Sequence, residues 1–304
     1  MDQMIKTIKV RDLPEEEYIL PGTRACAGCG MALVFRFALK ALGPDTIITI
    51  PASCLTVLTG MQGFMSTKIP ILHTTFETTA AAASGIIASL RNQKLDEKIT
   101  AVAFAGDGGT ADIGIQGLSG AAERGENIIY ACYDNEAYMN TGVQRSSATP
   151  YGAYTTTTPI FGKRQEKKNV PAIMAAHGIP YVATACASYP QDLFMKFQKA
   201  KGIKGTKYIH ILAPCPPGWS FNTKDSIQIG RMAVKTGFWP LYEITNGKFE
   251  LSSPSKSLVD PDKRKPIEEY LTAQGRFRTL SEEDFKHYHN YVNELWESIS
   301  KQVS

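Results

Sequence analysis

Two groups of residues in this 304-residue chain could do chemistry, and the first is a set of thiols. Cys26 and Cys29 stand two residues apart in "CAGCG", a spacing that serves a metal or a redox disulfide and does not by itself separate them. Cys54, Cys132, Cys186 and Cys215 bring the count to six. In a short secreted chain an even number would suggest disulfides. Here the length, and an N-terminus without the apolar run of a signal peptide, favour metal or redox chemistry in a cytoplasmic protein.

The second group lies in "FAGDGGTADIG". Gly106 to Ala111 formally fits the dinucleotide pattern G-x-G-x-x-G/A after a strand, a weak signal alone. Asp107 sits inside that turn, where its carboxylate would repel a pyrophosphate. A divalent cation between them reverses the sign, which favours a Mg²⁺-bridged diphosphate. Asn135 follows the next strand, offers an amide oxygen, and sits where backbone carbonyls can also be presented.

The elements that must position these residues read as alternating strands and helices. Short β-branched runs predict buried strands at 46–50, 99–105, 127–133, 180–185 and 207–213. Helical patterns fill 31–42, 77–93 and, weakened by glycines, 112–125. The alternation predicts an α/β fold, a doubly wound, mostly parallel sheet covered on both faces. From about residue 240 the chain turns polar and rich in Pro and Lys. It then ends in an amphipathic helix with Phe285, Tyr288, Val292, Leu295, Trp296, Ile299 and Val303 on one side, capped by Ser281 with Glu282, Glu283 and Asp284 behind it. The expected organisation is a domain over 1–240 and a C-terminal helical arm over 241–304, docked on the domain or on a partner subunit. Cys54, the GDGG turn, the Asp134-Asn135-Glu136 turn and Cys215 each follow a strand. In open α/β sheets ligands bind outside those strand ends, so the four point to one shared site. Cys132 and Cys186 fall inside strands and read as core residues.

"GDG" followed one strand later by Asn resembles the thiamine diphosphate signature. With "YDNEAYMNTGVQRSSATPYGA", "GDGGTADIGIQGLSGAAERG" and "CAGCG", the chain resembles the thiamine-binding (beta) subunit of the 2-oxoacid:ferredoxin oxidoreductases, pyruvate synthase type, over roughly residues 21–217. The resemblance implies the thiamine diphosphate-binding fold. It implies that Gly106, Asp107, Gly108, Gly109, Asn135, Ala137 and Cys54 bind the cofactor, with Mg²⁺ on Asp107, the Asn135 side chain and the Ala137 carbonyl. It also implies a [4Fe–4S] cluster on Cys26, Cys29, Cys54 and Cys215. Soft thiolates and a proline after Cys215 suit such a cluster, whereas zinc sites usually bring two close ligand pairs and this chain has one. Asn140 matches a position facing the reacting carbon. Asp112 is a candidate for the substrate pocket or for a helix N-cap. His73 reads as structural, and Glu77 has no assigned role. The segment around them departs from the family's more usual Asn-Ala at Thr78-Thr79, which bears on substrate choice.

The activity implied is oxidative decarboxylation of a 2-oxoacid, most simply pyruvate to acetyl-CoA and CO₂ in a reversible reaction. Electrons leave through the cluster to ferredoxin, and coenzyme A is co-substrate. Oxalate, branched-chain or aryl 2-oxoacids are the alternatives on the same cofactors. An iron-free thiamine decarboxylase or transketolase-like enzyme and a non-catalytic electron-transfer subunit are the alternatives of other classes. Thiamine activation needs a glutamate that this chain does not evidently supply, so an alpha subunit is implied, with gamma and ferredoxin-like delta subunits or domains. A net charge of +4 gives no reason to expect nucleic acid or a membrane surface.

Overall fold

The computed structural model describes residues 9–61 and 63–303. The first eight residues, on which the reading of the N-terminus partly rests, and Ser304 at the end of the expected arm lie outside the described residues.

The strands are β1 (Thr46–Pro51), β2 (Ile71–Thr74), β3 (Thr100–Gly106), β4 (Ile128–Asp134), β5 (Tyr181–Cys186), β6 (Lys207–Leu212), β7 (Tyr242–Thr245) and β8 (Lys248–Leu251). They form one sheet in the order β2-β1-β3-β4-β6-β5-β7-β8. The first six run parallel, while β7 pairs antiparallel with β5 and β8 with β7. The helices that bear on the site are α1 (Gly30–Leu42), α2 (Cys54–Thr59), α3 (Thr79–Asn92), α4 (Ile115–Glu123), α5 (Val170–Ala176), α6 (Pro190–Lys201), α7 (Pro216–Trp219) and α8 (Ser226–Lys235).

Strand β4 shows why the sheet is covered on both sides, because all of its residues are buried. Its alternate side chains serve two cores. Ile129, Ala131 and Tyr133 join Phe104 and pack with Phe35 of α1 and Phe197 of α6. Ile128, Tyr130 and Cys132 face the other way, against Ala83 and Ile87 of α3, Leu118 of α4 and Met174 of α5. A period of two with both phases apolar is what a parallel sheet inside a doubly wound fold requires. Cys132 and Cys186 are fully buried, as their place in strands predicts.

Two elements depart from the sequence reading. β2 is a short edge strand whose residues are exposed or half-buried, so it lacks the apolar run that marks its neighbours. The stretch beginning at 241 is not helical at first. "YEITNGKFEL" forms a hairpin that extends the sheet, turning at Asn246 (φ 48°) and Gly247 (φ 80°). Two positive φ values in a two-residue Asn-Gly loop are the signature of a tight hairpin, a cue that the polar composition around it masks.

The C-terminal helix, Glu282–Val303, packs a third core with α8 through Tyr288, Val292, Trp296 and Ile299. Phe285 and Leu295 are partly buried there, but Val303 is exposed. Ser281 Oγ accepts from Asp284 N–H (3.2 Å), and the Asp284 carboxylate accepts from Ser281 N–H (2.9 Å), closing a reciprocal cap. Among the described residues no helix is long and apolar enough to cross a membrane.

Trp296 is 1 % exposed and its indole N–H donates to Gly237 O at 2.8 Å, so it fastens this helix to the end of α8. Trp296→Ala should lower the unfolding free energy by about 3–5 kcal/mol, read from the shift in denaturant midpoint.

Candidate cofactor site

The "CAGCG" loop is shaped by its glycines. Gly28 has φ +73°, and a Cβ there would lie 2.6 Å from Thr223 O. Gly30 abuts Pro214, with a Cβ 2.7 Å from its nitrogen, and Gly30 N–H donates to Pro214 O at 3.0 Å. Ser226 Oγ donates to Gly28 O at 2.7 Å. The loop is thereby pressed against the segment that leaves β6 and carries Cys215. Cys54 arrives from the end of β1 as the first residue of α2.

Cys26, Cys29, Cys54 and Cys215 line one cavity of about 70 Å³, with Met31, Val57, Asn140 and Pro216. Burial pushes the Cys54 thiol up to about 12, and the charges of Cys215, Cys29 and Cys26 push the same way. Burial, then Cys29 and Cys26, raises Cys215 to about 12. Cys29 is raised by burial and by Cys26. Cys29, Cys54 and Cys215 therefore keep their protons unless positive charge is brought among them, so iron or another metal bound here would release protons. Among the described residues no three His, Cys, Asp or Glu side chains converge as one metal ion would need. The fit of this site to an iron–sulfur group rests on its donor set, four soft thiols around one cavity.

A second cavity of about 240 Å³ adjoins the first. Gly106, Asp107, Gly108, Gly109, Asn135, Ala137, Tyr138, Asn140 and Cys54 all border it. Cys54, Asn135 and Asn140 thus belong to the walls of both cavities. Asp107 follows β3 and is the N-cap of a single π-helical turn, Gly108–Ile113, the kind of irregularity that clusters at functional sites. A Cβ on Gly108 would run into the Tyr138 ring, so the glycine is needed for the aromatic to lie across the turn.

Asp107 is fully buried, and burial followed by the neighbouring Asp134 pushes its carboxyl well above the usual carboxylate range. Ser146 Oγ donates to its Oδ2 at 2.5 Å. In one orientation of the Asn135 amide its oxygen faces only acceptors, Asp107 Oδ1 and the Ala137 carbonyl. In the other, its nitrogen donates to both at 2.9 Å. Three oxygens turned towards one point make a set that a hard divalent cation fits, and the flipped amide is what satisfies them otherwise. The residues present fit Mg²⁺ by that test.

Asp112 does not border either cavity. It accepts from Tyr138 OH (2.7 Å) and from Ser147 N–H (3.2 Å), with Lys168 at 3.8 Å. It also lies inside the π-helical turn, and Gly114 occupies the N-cap of α4. His73 on β2 has Nε2 3.1 Å from Gly60 O, anchoring the loop after α2. Glu77 is exposed just before α3. Sequence reasoning missed Tyr138, Phe76 and Met139 as lining residues, although Tyr138 and Met139 flank Asn140 in the "DNEAYMN" run. Gly108→Ala should displace Tyr138 and raise the dissociation constant for thiamine diphosphate with Mg²⁺ by about 5- to 150-fold, the equivalent of about 1–3 kcal/mol of overpacking. Adding Tyr138→Ala should recover part of that loss in the same titration.

Residues 52–211 match the family described as "Thiamine pyrophosphate enzyme, C-terminal TPP binding domain". The chain is 52% identical to pyruvate synthase subunit PorB of Methanothermobacter marburgensis over 94% of its own length and 99% of that protein. It is likewise 52% identical to the Methanocaldococcus jannaschii PorB, over 94% of this chain and 97% of that one. Identity to ketoisovalerate oxidoreductase subunit VorB of Pyrococcus furiosus is 47%, over 95% and 94% of the two chains. Among solved structures, the 2-oxoglutarate:ferredoxin oxidoreductase from Magnetococcus marinus superposes with a TM-score of 0.57 over 75% of this chain and 82% of that one. At 21% identity this likeness bears on the fold alone. The glycine-aspartate turn, the Asn135 turn and the matches over nearly the whole length agree: the chain belongs to the thiamine pyrophosphate enzymes, as a beta subunit of the 2-oxoacid oxidoreductase family that contains PorB and VorB.

Proposed function

We propose that the chain is the cofactor-binding beta subunit of a cytoplasmic pyruvate synthase, oxidising pyruvate to acetyl-CoA and CO₂ and passing the electrons to ferredoxin. The observation that carries this reading is the shared wall. Cys54, Asn135 and Asn140 border both the glycine-aspartate cavity and the thiol cavity, so a redox group in one stands beside a cofactor in the other. Thiamine pyrophosphate, when bound, supplies the electron sink that lets a 2-oxoacid lose CO₂.

The chain's own residues have separate tasks. Asp107, the Asn135 amide oxygen and the Ala137 carbonyl would hold Mg²⁺, while Gly106, Gly108 and Gly109 leave room for a diphosphate beside the metal. Cys26, Cys29, Cys54 and Cys215 would hold a [4Fe–4S] cluster. Asn140 is exposed and borders both cavities, from where it would hydrogen-bond a substrate carboxylate or carbonyl. Asp112 orients Tyr138 through a 2.7 Å hydrogen bond, so its part is one of positioning. All of these residues fall within 1–240, which we read as the cofactor domain, with the helical part of 241–304 as its arm. The resemblance adds an alpha subunit bringing the thiamine-activating glutamate, gamma and delta subunits or domains, and coenzyme A as co-substrate.

Pyruvate is favoured by the 52% identity to PorB subunits of two methanogens, and a branched-chain 2-oxoacid is the second reading because VorB relatives, at 47%, are more similar to this chain than another PorB at 42%. The test is viologen reduction by the anaerobically purified assembly with pyruvate, 2-oxoisovalerate, 2-oxoglutarate and oxalate, with and without coenzyme A. Pyruvate with coenzyme A should give the highest kcat/KM. A preference for 2-oxoisovalerate would move the assignment to the second reading, and oxalate turnover without coenzyme A would contradict both. In the same preparation Cys54→Ala should lose iron and its broad visible absorbance while Asp107→Ala keeps both but no longer retains thiamine pyrophosphate.

A further inference from the structure

Residues 134–137 leave β4 carrying the side chain of Asn135 and the carbonyl of Ala137, and they do so in an unusual conformation. Glu136 has φ +67°, a region that side chains other than glycine rarely adopt. Something must hold it there. The main chain is gripped at three of these four residues: Ala213 N–H donates to Asp134 O (2.8 Å), Trp219 Nε1–H to Asn135 O (2.7 Å) and Thr149 Oγ1–H to Glu136 O (2.7 Å).

The two carboxylates flanking Asn135 are gripped by cations. Asp134 accepts from Glu136 N–H at 2.9 Å and meets Lys167 Nζ at 2.6 Å and His210 Nε2 at 2.8 Å. The Glu136 carboxylate lies between Lys167 Nζ and Arg276 Nη2, each at 2.6 Å. Asp134, Glu136 and Arg276 are all at most 2 % exposed. Arg276 has a second hold on the same turn. Its guanidinium lies 3.9 Å from the centroid of the Trp219 ring, whose N–H is the donor to Asn135 O.

Arg276 comes from a distant part of the chain, the Gly275–Phe277 turn beyond the hairpin, outside the residues that match the thiamine-binding family. Its backbone is fixed to the domain: Gly275 N–H donates to Ser220 O (3.0 Å) and Tyr154 N–H to Arg276 O (2.8 Å). Its Nε donates to Gln274 Oε1 at 2.9 Å. Removing this cation would leave the Glu136 carboxylate buried with half its compensation, a destabilising condition that it relieves by taking up a proton or by pulling against its remaining contacts. Glu136 sits in the turn that aims Asn135 and Ala137, so either response disturbs that turn.

Resting on the Mg²⁺ site proposed above, we infer that Arg276, acting with Lys167, is a positioning residue for the thiamine pyrophosphate–Mg²⁺ site, so that the C-terminal arm completes the cofactor site of the domain it packs on. Neither side chain borders the glycine-aspartate cavity. They act by clamping Glu136 and, through Trp219, the carbonyl of Asn135. Partners one step behind a metal ligand typically govern affinity by about 10–100-fold.

The test is equilibrium titration of thiamine pyrophosphate at fixed Mg²⁺ into the cofactor-depleted, anaerobically purified assembly, by calorimetry. Arg276→Met and Lys167→Met should each raise the dissociation constant about 10–100-fold. Arg276→Lys, which keeps the charge, should restore most of the affinity. Lys196→Met removes another buried cation, one paired with Asp192 away from the site. It should lower the melting temperature and leave the dissociation constant unchanged. Should Arg276→Met fail to fold, Glu136→Gln/Arg276→Met removes the lone charge and should fold with weakened binding. A folded Arg276→Met or double variant that binds within about twofold of the wild type overturns the inference. Asp107→Ala separates the two levels. If it too leaves binding unchanged, the metal site is misassigned; if it abolishes binding while Arg276→Met does not, only the clamp is wrong.

Discussion

Negative charge gathered at the carboxyl ends of the parallel strands is the constraint to which the rest of this structure answers. Asp107, Asp134 and Glu136 lie within three residues' reach of Asn135 in space or sequence, all buried. Four thiols adjoin them. The protein neutralises part of this with its own cations. Lys167, helped by the hydrogen bond from His210, outweighs the cost of burial and holds the Asp134 carboxyl down at about 2, and Arg276 shares Glu136 with Lys167. Asp107 has a hydroxyl partner and no ion pair among the described residues. For the thiols, burial outweighs what favours their charged forms, the backbone N–H groups near Cys29 and Cys215 and the charge of Arg276. Asp107 and the thiols are where the proposed Mg²⁺ and iron would bring positive charge, next to acids that the chain neutralises itself.

Topology explains why these groups meet. Strands β1, β3, β4 and β6 are consecutive neighbours in the sheet, and each hands over one piece at the same edge: Cys54, Asp107, the Asn135 turn and Cys215. A doubly wound parallel sheet collects strand ends without further design, because every strand exits on one side. What the fold adds is close approach. Gly30 against Pro214 and Gly108 beneath Tyr138 are contacts that no side chain would allow.

Much of this was legible in the sequence because the strands that carry the site are the buried central ones, whose β-branched runs have no competing pattern. The glycine-aspartate turn and the cysteine doublet also sit in fixed relation to those strands. The edges were harder. β2 has no apolar run because one side of it is exposed, and the Asn246-Gly247 hairpin lay inside a segment whose polarity suggested an arm. The ion clamp was not legible at all. Lys167 and Arg276 are ordinary basic residues in sequence, and only folding brings them to Glu136. Asp112 could not be placed either, since a loop aspartate beside a pocket and one behind its wall look the same in one dimension.

The proposed site sets a divalent cation and a thiolate-bound redox group side by side at one sheet edge, with Cys54 in the wall between. Electron paramagnetic resonance of the assembly loaded with Mn²⁺ in place of Mg²⁺ tests it directly, because an unpaired spin on a reduced cluster nearby shortens the relaxation of the Mn²⁺ signal. The account predicts faster Mn²⁺ relaxation on reduction, an effect that Cys54→Ala abolishes along with the cluster signal. Mn²⁺ bound with a relaxation rate indifferent to reduction, in a preparation whose cluster is present and reduced, would contradict it.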